Sequence, residues 1–291
     1  MLTDLELQLK SIEYRATILR IIKQARAGHT GGDLSSIDIL NVLYNNVMQV
    51  SPATFADPNR DRYVQSKGHC VEALYTVLAD QGYFPQEELD TLCQYQSHFV
   101  GHPTRSVPGI EQNTGALGHG LAVAGGMALA AKLDGRSYRV FTLLGDGELA
   151  EGSNWEASLA ASHYRLDNLV VIVDRNRLQI SGNTETVAPL EPLHEKFAAF
   201  GYAVREVDGN DPAALMDIFN RVPFEAGKPN LVLANTVKGK GVSFMENSVK
   251  WHHRVPTDEE YATAMRELDE ARAKLTAQAS EAGQRRYPVH A

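Results

Sequence analysis

Apolar residues recur along this chain in two different patterns, and each pattern predicts its own kind of element. Near the amino terminus Leu5, Leu9 and Ile12 begin a series with steps of four and three, which predicts a helix over 3–26. Between 140 and 178, two continuous apolar runs flank an alanine-rich segment. Short apolar runs joined by a helical segment predict two parallel strands with a crossover helix between them.

Polar residues end both of these apolar runs. The first run ends in Gly-Asp-Gly at 145–147, and the second ends in Asp-Arg-Asn at 174–176. The carboxyl ends of parallel strands meet at one edge of a sheet, and ligands bind at that edge in open α/β folds. We therefore expect an α/β protein whose functional site lies there.

The rest of the pattern extends the same architecture. It predicts helices at 121–133, 193–200 and 212–221, and strands at 61–65, 202–207 and 230–237. Thr257-x-x-Glu260 is a capping box that predicts a last helix over 257–277, before a frayed tail over 281–291. The chain shows no repeat or linker, so we expect one three-layer domain over 1–291 with its core at 27–255. Its mostly parallel central sheet should be flanked by helices on both faces.

Composition and charge narrow the class of protein. The chain has 291 residues, 43% hydrophobic and 22% charged, with a net charge of −8. This is the composition of a globular domain, and its acidity does not favour a nucleic-acid partner. No run of 18 apolar residues predicts a membrane span, and the amino terminus lacks a basic signal-peptide start, so we expect a cytoplasmic protein. Cys70 and Cys93 show no metal-ligand spacing and are expected to be free thiols.

Oxygen-bearing side chains at the two predicted strand ends suit a hard divalent cation. Asp146 offers a carboxylate, and Asn176, 30 residues later (176 − 146), offers an amide oxygen. Mg²⁺ and Ca²⁺ accept such ligands together with phosphate oxygens and water. Gly145 and Gly147 let a ligand approach the backbone, and the helix predicted from about Glu151 would direct free N–H groups at an anion. A Gly-Asp-Gly turn alone is ordinary, but the combination with Asn176 favours a metal-bridged diphosphate site.

Several predicted loops carry histidine beside glycine or proline, and composition alone leaves each histidine open as a loop residue or a ligand-facing group. The glycines at 28, 31 and 32 predict a flexible loop before a Ser-capped helix. Lys238 and Lys240 alternate with glycine after the last predicted strand, a position suited to phosphate. Since several such loops follow strands, we expect a shared polar pocket among the loops that carry His29, His69, His102, His119, His252 and His253.

Taken in order, these motifs resemble the amino-terminal part of transketolase, a thiamine-diphosphate enzyme. The resemblance spans roughly residues 10–255 and implies the thiamine-diphosphate-binding fold. The motifs are Gly28-His29, Ser66-Lys67-Gly68-His69, Gly101-His102-Pro103, Thr114-Gly115-Ala116-Leu117-Gly118, Gly145-Asp146-Gly147, Asp174-Arg175-Asn176, Lys238-Gly239-Lys240-Gly241 and Trp251-His252.

The resemblance implies a set of binding residues. The side chains of Asp146 and Asn176 and the carbonyl oxygen of Leu178 would hold Mg²⁺ or Ca²⁺. Thiamine diphosphate would contact His69, Gly115, Ala116, Leu117, Gly147, Asn176, Lys238 and His252.

The resemblance also implies the reaction and the groups that assist it. A two-carbon ketol unit would pass from a ketose, expected to be phosphorylated, to an aldose. Histidines suit the proton movements because their pKa lies near neutrality, and the candidates are His29, His69, His102 and His252. Glu151 would lie at a subunit interface and relay to the partner's catalytic acid.

Members of the resembled family are about twice as long and carry a second domain with the activating glutamate. We therefore expect this chain to be the N-terminal subunit of a split transketolase. It would be active only with a separate C-terminal subunit, in an α₂β₂ assembly with the cofactor between the subunits.

Other functions stay open on the sequence. His253, His119 and the glycines at 31 and 32 depart from the family's usual residues near the substrate channel, which leaves the donor sugar undecided. A split transketolase for a sulfonated or branched sugar is one alternative, and the α subunit of a 2-oxo-acid dehydrogenase is another. A non-catalytic scaffold subunit is the alternative of a different class. A metal-dependent phosphohydrolase lacks support, since no second carboxylate cluster is present for two-metal chemistry.

Overall fold

Five parallel strands form the centre of the fold, in the order β1-β2-β3-β7-β6. A computed structural model describes residues 1–286 of the chain. The sheet strands are β1 Arg62–Gln65, β2 Val140–Gly145, β3 Leu169–Arg175, β6 Ala203–Asp208 and β7 Asn230–Asn235, and β4 Leu178–Gln179 pairs with β5 Gly182–Asn183 in a small antiparallel hairpin. Every residue of β3 is buried, as its continuous apolar run predicts for a strand covered on both faces.

Helices cover both faces of this sheet. They are α1 Asp4–Ala25, α2 Thr30–Val42, α3 Val71–Asp80, α4 Gly120–Leu133, α5 Gly152–His163, α6 Thr184–Val187, α7 Leu193–Ala199, α8 Pro212–Phe219 and α9 Asp258–Arg286. One apolar core lies between the sheet and α1, α2, α3 and α8, and a second lies between the sheet and α4, α5 and α7. The predicted three-layer α/β architecture with a parallel central sheet is confirmed.

Capping residues set the ends of the first and last helices. Thr3 and Glu6 form the capping box that starts α1, and Thr257 accepts a 3.2 Å hydrogen bond from the Glu260 N–H at the start of α9. α9 continues beyond the predicted end at 277, so residues 281–286 of the expected frayed tail are helical and 287–291 lie outside the described residues.

No helix in the described part of the chain is both long and apolar enough to span a membrane. Cys70 and Cys93 are free thiols, as expected.

The start of α2 corrects one expectation. The helix begins at Thr30, so Gly31 and Gly32 lie buried in its first turn and not in a flexible loop. A Cβ on Gly31 would lie 2.7 Å from the carbonyl oxygen of Trp251, and a Cβ on Gly32 would lie 2.6 Å from the Cys70 sulfur. These glycines therefore permit close packing of the helix start against two other segments, at the intrinsic cost of glycine in a helix.

Candidate active site

The two oxygen-bearing residues at the strand ends lie side by side. Gly145 of β2 is paired with Asp174 of β3, so Asp146 and Asn176 both emerge at the carboxyl edge of the sheet. Together with Leu178 they line a cavity of about 330 Å³. The spacing of 30 residues read from the sequence is therefore the length of one crossover, which returns the chain to the neighbouring strand end.

Asp146 is buried at the floor of this cavity. Its carboxylate accepts hydrogen bonds from the N–H of Gly147 at 2.8 Å and of Arg177 at 2.5 Å, and it pairs with the Arg175 guanidinium at 3.2 Å. Burial raises the pKa of Asp146, and the negative charge of Asp174 raises it further. A divalent cation at this edge would offset both effects, since an opposite charge favours the ionised carboxylate.

The orientation of Asn176 is set by the residue two positions before it. The Asn176 amide nitrogen donates a 3.1 Å hydrogen bond to Asp174, which leaves the amide oxygen near the backbone N–H of Leu178, at 3.1 Å. Asp174 is itself fully buried and holds the Lys67 ammonium and the hydroxyl groups of Ser35 and Thr236. Because one carboxylate gathers four donors from four segments, the amide that faces the cavity is held in one orientation.

A second ammonium lies on the other side of the cavity. Lys238 Nζ donates a 3.1 Å hydrogen bond to the carbonyl oxygen of Leu178 and lies 3.0 Å from His252 Nδ1. Burial lowers the pKa of Lys238, and the nearby positive charge of Lys67 lowers it further. Lys238 lines the cavity and has no carboxylate partner among the described residues, so its ammonium favours an anionic ligand there.

Four histidines gather at the mouth of the cavity. The ring of His29 lies 4.9 Å from that of His69, 5.6 Å from that of His252 and 4.5 Å from that of His253, measured between centroids. Burial and the surrounding positive charges lower the pKa of His29 and of His252 to about 3, and lower that of His69 well below its ordinary value. The half-buried rings are therefore neutral near neutral pH, and each can donate one hydrogen bond and accept one. This corrects the expectation that their pKa values lie near neutrality.

Two predicted catalytic residues lie outside the cavity lining. The exposed ring of His102 is 6.5 Å from that of His29, at the rim of the cluster. Glu151 is exposed at the start of α5, and within the described part of the chain its carboxylate makes no hydrogen bond. His119 is also exposed, before α4. The structure thus brings together the predicted metal and diphosphate residues and places the expected relay glutamate on the surface.

The loop at 114–118 forms another wall. Gly115 and Leu117 line the cavity, whereas Ala116 is exposed and does not line it. Gly115 has a φ of +146°, and a Cβ there would lie 2.8 Å from the His102 ring. The loop must therefore carry glycine at this position to pass under that ring.

Sequence reasoning missed Glu148, which holds this loop in place. Its carboxylate is buried and accepts hydrogen bonds from the N–H of Gly118 at 2.9 Å, the N–H of Gly145 at 3.0 Å and the hydroxyl of Ser66. Burial raises its pKa, while these donors act in the opposite direction. The acidic residue directly after Gly147 was the available signal, but two of its three partners, Ser66 and Gly118, come from distant segments.

Gln179 and Ile180 of the hairpin that follows Asn176 also line the cavity and were not predicted. A Cβ on Gly147 would lie 2.9 Å from the Cβ of Gln179, so the glycine lets the hairpin close over the turn. Lys67 belongs to a motif noted in the sequence, but its fully buried pairing with Asp174 was not foreseen.

Within the described part of the chain, no group of three or more His, Cys, Asp or Glu side chains is arranged to hold a metal. The candidate set has one carboxylate, one amide and one carbonyl, so it suits Mg²⁺ only if an anionic ligand supplies further oxygens. Lys238 supplies a counter-charge for that ligand, whereas Lys67 is already paired with the Asp174 carboxylate.

A parallel sheet with an anion-favouring cavity at its carboxyl edge is typical of a ligand-binding α/β domain. The chain belongs to the transketolase family: residues 9–275 match the family described as transketolase, thiamine diphosphate binding domain. The family-level expectation is confirmed.

Known relatives fall into two length classes. The chain is 50% identical over 269 residues to an apulose-4-phosphate transketolase subunit of Phocaeicola vulgatus, covering 92% of this chain and 96% of that protein. It is 40% identical over 267 residues to a 6-deoxy-6-sulfo-D-fructose transketolase subunit of a Clostridium species, covering 91% of this chain and 97% of that protein. The solved transketolase of Leishmania mexicana matches with a TM-score of 0.80 and 28% identity, over 99% of this chain but 48% of that one. The chain therefore spans about half the length of such solved enzymes.

Proposed function

We propose that this chain is the diphosphate-binding, N-terminal subunit of a split transketolase that uses thiamine diphosphate and Mg²⁺. It transfers a two-carbon ketol unit from a ketose phosphate to an aldose and requires a separate C-terminal subunit. The observation that carries this proposal is the meeting of Asp146, Asn176, Leu178 and Lys238 in one cavity at the carboxyl edge of the sheet.

The residues present fit a metal-bound diphosphate. The Asp146 carboxylate, the Asn176 amide oxygen and the Leu178 carbonyl oxygen are the proposed Mg²⁺ ligands, and the Gly147 N–H, Lys238 and His69 would contact the diphosphate. Lys238 now donates to the Leu178 carbonyl, so this ammonium is within reach of a ligand bound beside that oxygen. Ca²⁺ accepts the same donor set with longer bonds and a larger coordination number, and the residues do not distinguish the two ions.

Neutral histidines suit ketol transfer as hydrogen-bond donors and acceptors, because their low pKa disfavours uptake of a further proton at neutral pH. When bound, thiamine diphosphate supplies the nucleophilic carbon and the electron sink for cleavage of the ketose. His29, His69 and His252 are packed ring against ring at the mouth, where they can orient hydroxyl groups of the sugar and hold protons at their ring nitrogens. His102 extends this row at the rim, and Glu151 is assigned to the contact with the partner subunit.

Three observations support a separate partner. The chain covers 96% of two relatives whose names describe them as transketolase subunits, and only about half of the solved full-length transketolases. Large apolar side chains are exposed along α4 and α5, with 79% exposure at Leu133, 60% at Leu159 and 50% at Tyr164. We assign this surface to subunit contact in an α₂β₂ assembly. The cytoplasmic location remains a prediction.

The names of the relatives favour a branched sugar phosphate over a common pentulose phosphate as the donor. The two relatives at 50% and 46% identity are named apulose-4-phosphate transketolase subunits, and the one named for a sulfonated sugar is 40% identical. We therefore propose apulose 4-phosphate as the donor and 6-deoxy-6-sulfofructose as the second candidate.

The experiment is reconstitution. The purified chain and its candidate C-terminal subunit, assayed with thiamine diphosphate, Mg²⁺ and each donor in turn, should transfer a ketol unit only when both subunits are present. Full transfer by this chain alone would refute the split enzyme. Cofactor binding without transfer from any donor would favour a non-catalytic role.

A further inference from the structure

Two carboxyl groups with no part in the proposed reaction lie buried beneath the histidine cluster. Asp33 of α2 has 0% exposure and Glu72 of α3 has 1% exposure. The Asp33 carboxylate accepts a hydrogen bond from the backbone N–H of Ala73, the residue directly after Glu72, and each carboxyl group affects the pKa of the other. Two ionised carboxylates so close together in a buried place repel strongly, so the pair favours a state in which one of them keeps a proton.

The hydrogen bonds of the pair point to the same state. Asp33 Oδ1 accepts a 2.9 Å hydrogen bond from the backbone N–H of Ala73. Asp33 Oδ2 and Glu72 Oε2 are both buried without a partner among the described residues. Ionised carboxylates only accept hydrogen bonds, so these two groups can bond each other only through a proton. A proton shared between these two oxygens would form a charge-assisted hydrogen bond and satisfy both acceptors.

Neighbouring groups change the pKa values of the two carboxyl groups but leave both values raised. Burial raises the pKa of Asp33 to about 7, although the positive charges of Lys67 and Lys238 act to lower it. Burial raises the pKa of Glu72 well above its ordinary value, and the negative charge of Asp33 raises it further. Burial also raises the pKa of Cys70, so this thiol adds no negative charge at neutral pH.

The same pair joins the starts of two helices. Cys70, at the N-cap of α3, makes no capping bond with its side chain, and Asp33 supplies the cap from α2 by accepting from Ala73. His29 is the N-cap of α2, and its carbonyl oxygen accepts a 3.1 Å hydrogen bond from the Asp33 N–H. His69 directly precedes Cys70, so each helix start carries one histidine of the cluster.

We propose that Asp33 and Glu72 share one proton and that this protonated pair positions His29 and His69 by joining the starts of α2 and α3. Neither carboxyl group lines the cavity, so both are positioning residues. The consequence for catalysis rests on the proposed function, whereas the shared proton does not depend on it.

The proton proposed to be shared by Asp33 and Glu72 is tested with the full chain alone, without cofactor. Infrared difference spectra at neutral pH should show a carboxylic acid carbonyl band in the wild type that is lost in Glu72→Gln and in Asp33→Asn. The pair has raised pKa values in the fold, so its contribution to stability is present below the ordinary carboxyl pKa of about 4 and is lost as the pH rises towards the folded values. As the pH is raised from about 5 to about 8, the urea midpoint of the wild type should therefore decrease relative to that of Glu72→Gln.

Glu87→Gln, at an exposed position, is the matched control and should keep the wild-type dependence on pH. Parallel pH profiles for the wild type and Glu72→Gln, or an unchanged carbonyl band, would overturn the proposal. Failure of both amide variants to fold at any pH would also overturn it, because an amide can replace the shared proton's hydrogen bond.

The positioning role is tested with Mg²⁺ and inorganic diphosphate as the probe. Glu72→Ala should shift the ring-proton resonances of His29 and His69 and weaken diphosphate binding about tenfold, as loss of an outer-shell partner commonly does. Glu72→Gln should restore binding to within about twofold. Unchanged resonances in Glu72→Ala would contradict the role. Because these measurements need no ketol transfer, their failure is distinguishable from a failure of the proposed activity.

Discussion

The ammonium of Lys238 donates a 3.1 Å hydrogen bond to the carbonyl oxygen of Leu178, the oxygen that we propose as a metal ligand. A cation and an ammonium cannot both occupy the near side of one carbonyl. Binding of Mg²⁺ is therefore expected to release Lys238 towards the diphosphate, so that the same lysine serves the site in both states.

Replacement of Lys238 tests that double role. Lys238→Met should weaken binding of Mg²⁺-diphosphate by about ten- to a hundredfold, the range expected for loss of a hydrogen bond to a charged group. It should also raise the pKa of His252 above its value of about 3, because the positive charge of Lys238 is a cause of that low value, second to burial. Titration of the His252 ring by NMR measures the second effect. A His252 pKa that stays unchanged in the variant would contradict the electrostatic account.

Asp146 tests the metal site. Asp146→Ala should abolish the thermal stabilisation that thiamine diphosphate and Mg²⁺ give to the wild type, which is about 2.7 kcal/mol when ligand exceeds its Kd a hundredfold. Differential scanning fluorimetry measures this effect, and Asp134→Ala is the control, because the Asp134 side chain is 62% exposed. Stabilisation that persists in Asp146→Ala would favour the scaffold interpretation.

Glu148 tests how the cofactor-facing loop is held. In Glu148→Gln an NH₂ group replaces an oxygen and must face one of three donors, from Ser66, Gly118 or Gly145. We expect a loss of stability of about 1–3 kcal/mol, the cost of a buried donor left without an acceptor. Urea unfolding measures it, with Glu156→Gln as the exposed control. Equal stability of the two variants would show that the three hydrogen bonds are dispensable.

The neutral histidine cluster predicts a loss of stability in acid. The pKa of His29 is about 3 in the fold and 6.5 in its ordinary state, so the unfolded chain binds more protons between these values. The stability that this histidine contributes is therefore present above about pH 6.5 and is lost as the pH falls towards 3. His29→Gln should be less sensitive than the wild type to lowering the pH over this window, by urea unfolding. A steeper acid dependence in the variant would contradict the low pKa.

The proposed interface predicts that subunit assembly can be lost while diphosphate binding is kept. Leu159→Glu places a charge on an apolar side chain of α5 that is 60% exposed. The variant should lose assembly with the C-terminal subunit in analytical ultracentrifugation. Its binding of Mg²⁺-diphosphate should stay within about twofold of the wild type, since surface substitutions cost little stability. Assembly at wild-type strength would place the interface elsewhere.

The central sheet could be predicted because its signal is local. Apolar runs such as 169–173 mark strands buried on both faces, and the polar residues that follow mark the edge where Asp146 and Asn176 meet. The two apolar cores follow from the same alternation of strands and helices, whereas the strand order β1-β2-β3-β7-β6 was not predicted.

The buried polar groups could not be predicted in this way. Asp174 and Glu148 each gather partners from segments far apart in sequence, and only the folded chain shows that these partners meet. The start of α2 was misassigned because local propensity opposes glycine in a helix, while close packing against Trp251 and Cys70 requires it. Tertiary contacts decided the local structure at that point.

The most direct test of the account is a crystal structure of the chain soaked with Mn²⁺ and thiamine diphosphate, with Mn²⁺ replacing Mg²⁺ as an anomalous scatterer. We predict one anomalous peak bonded to the Asp146 carboxylate, the Asn176 amide oxygen and the Leu178 carbonyl oxygen, with diphosphate oxygens completing its coordination. A metal and diphosphate bound at any other place, with these three oxygens uncoordinated, would contradict the account.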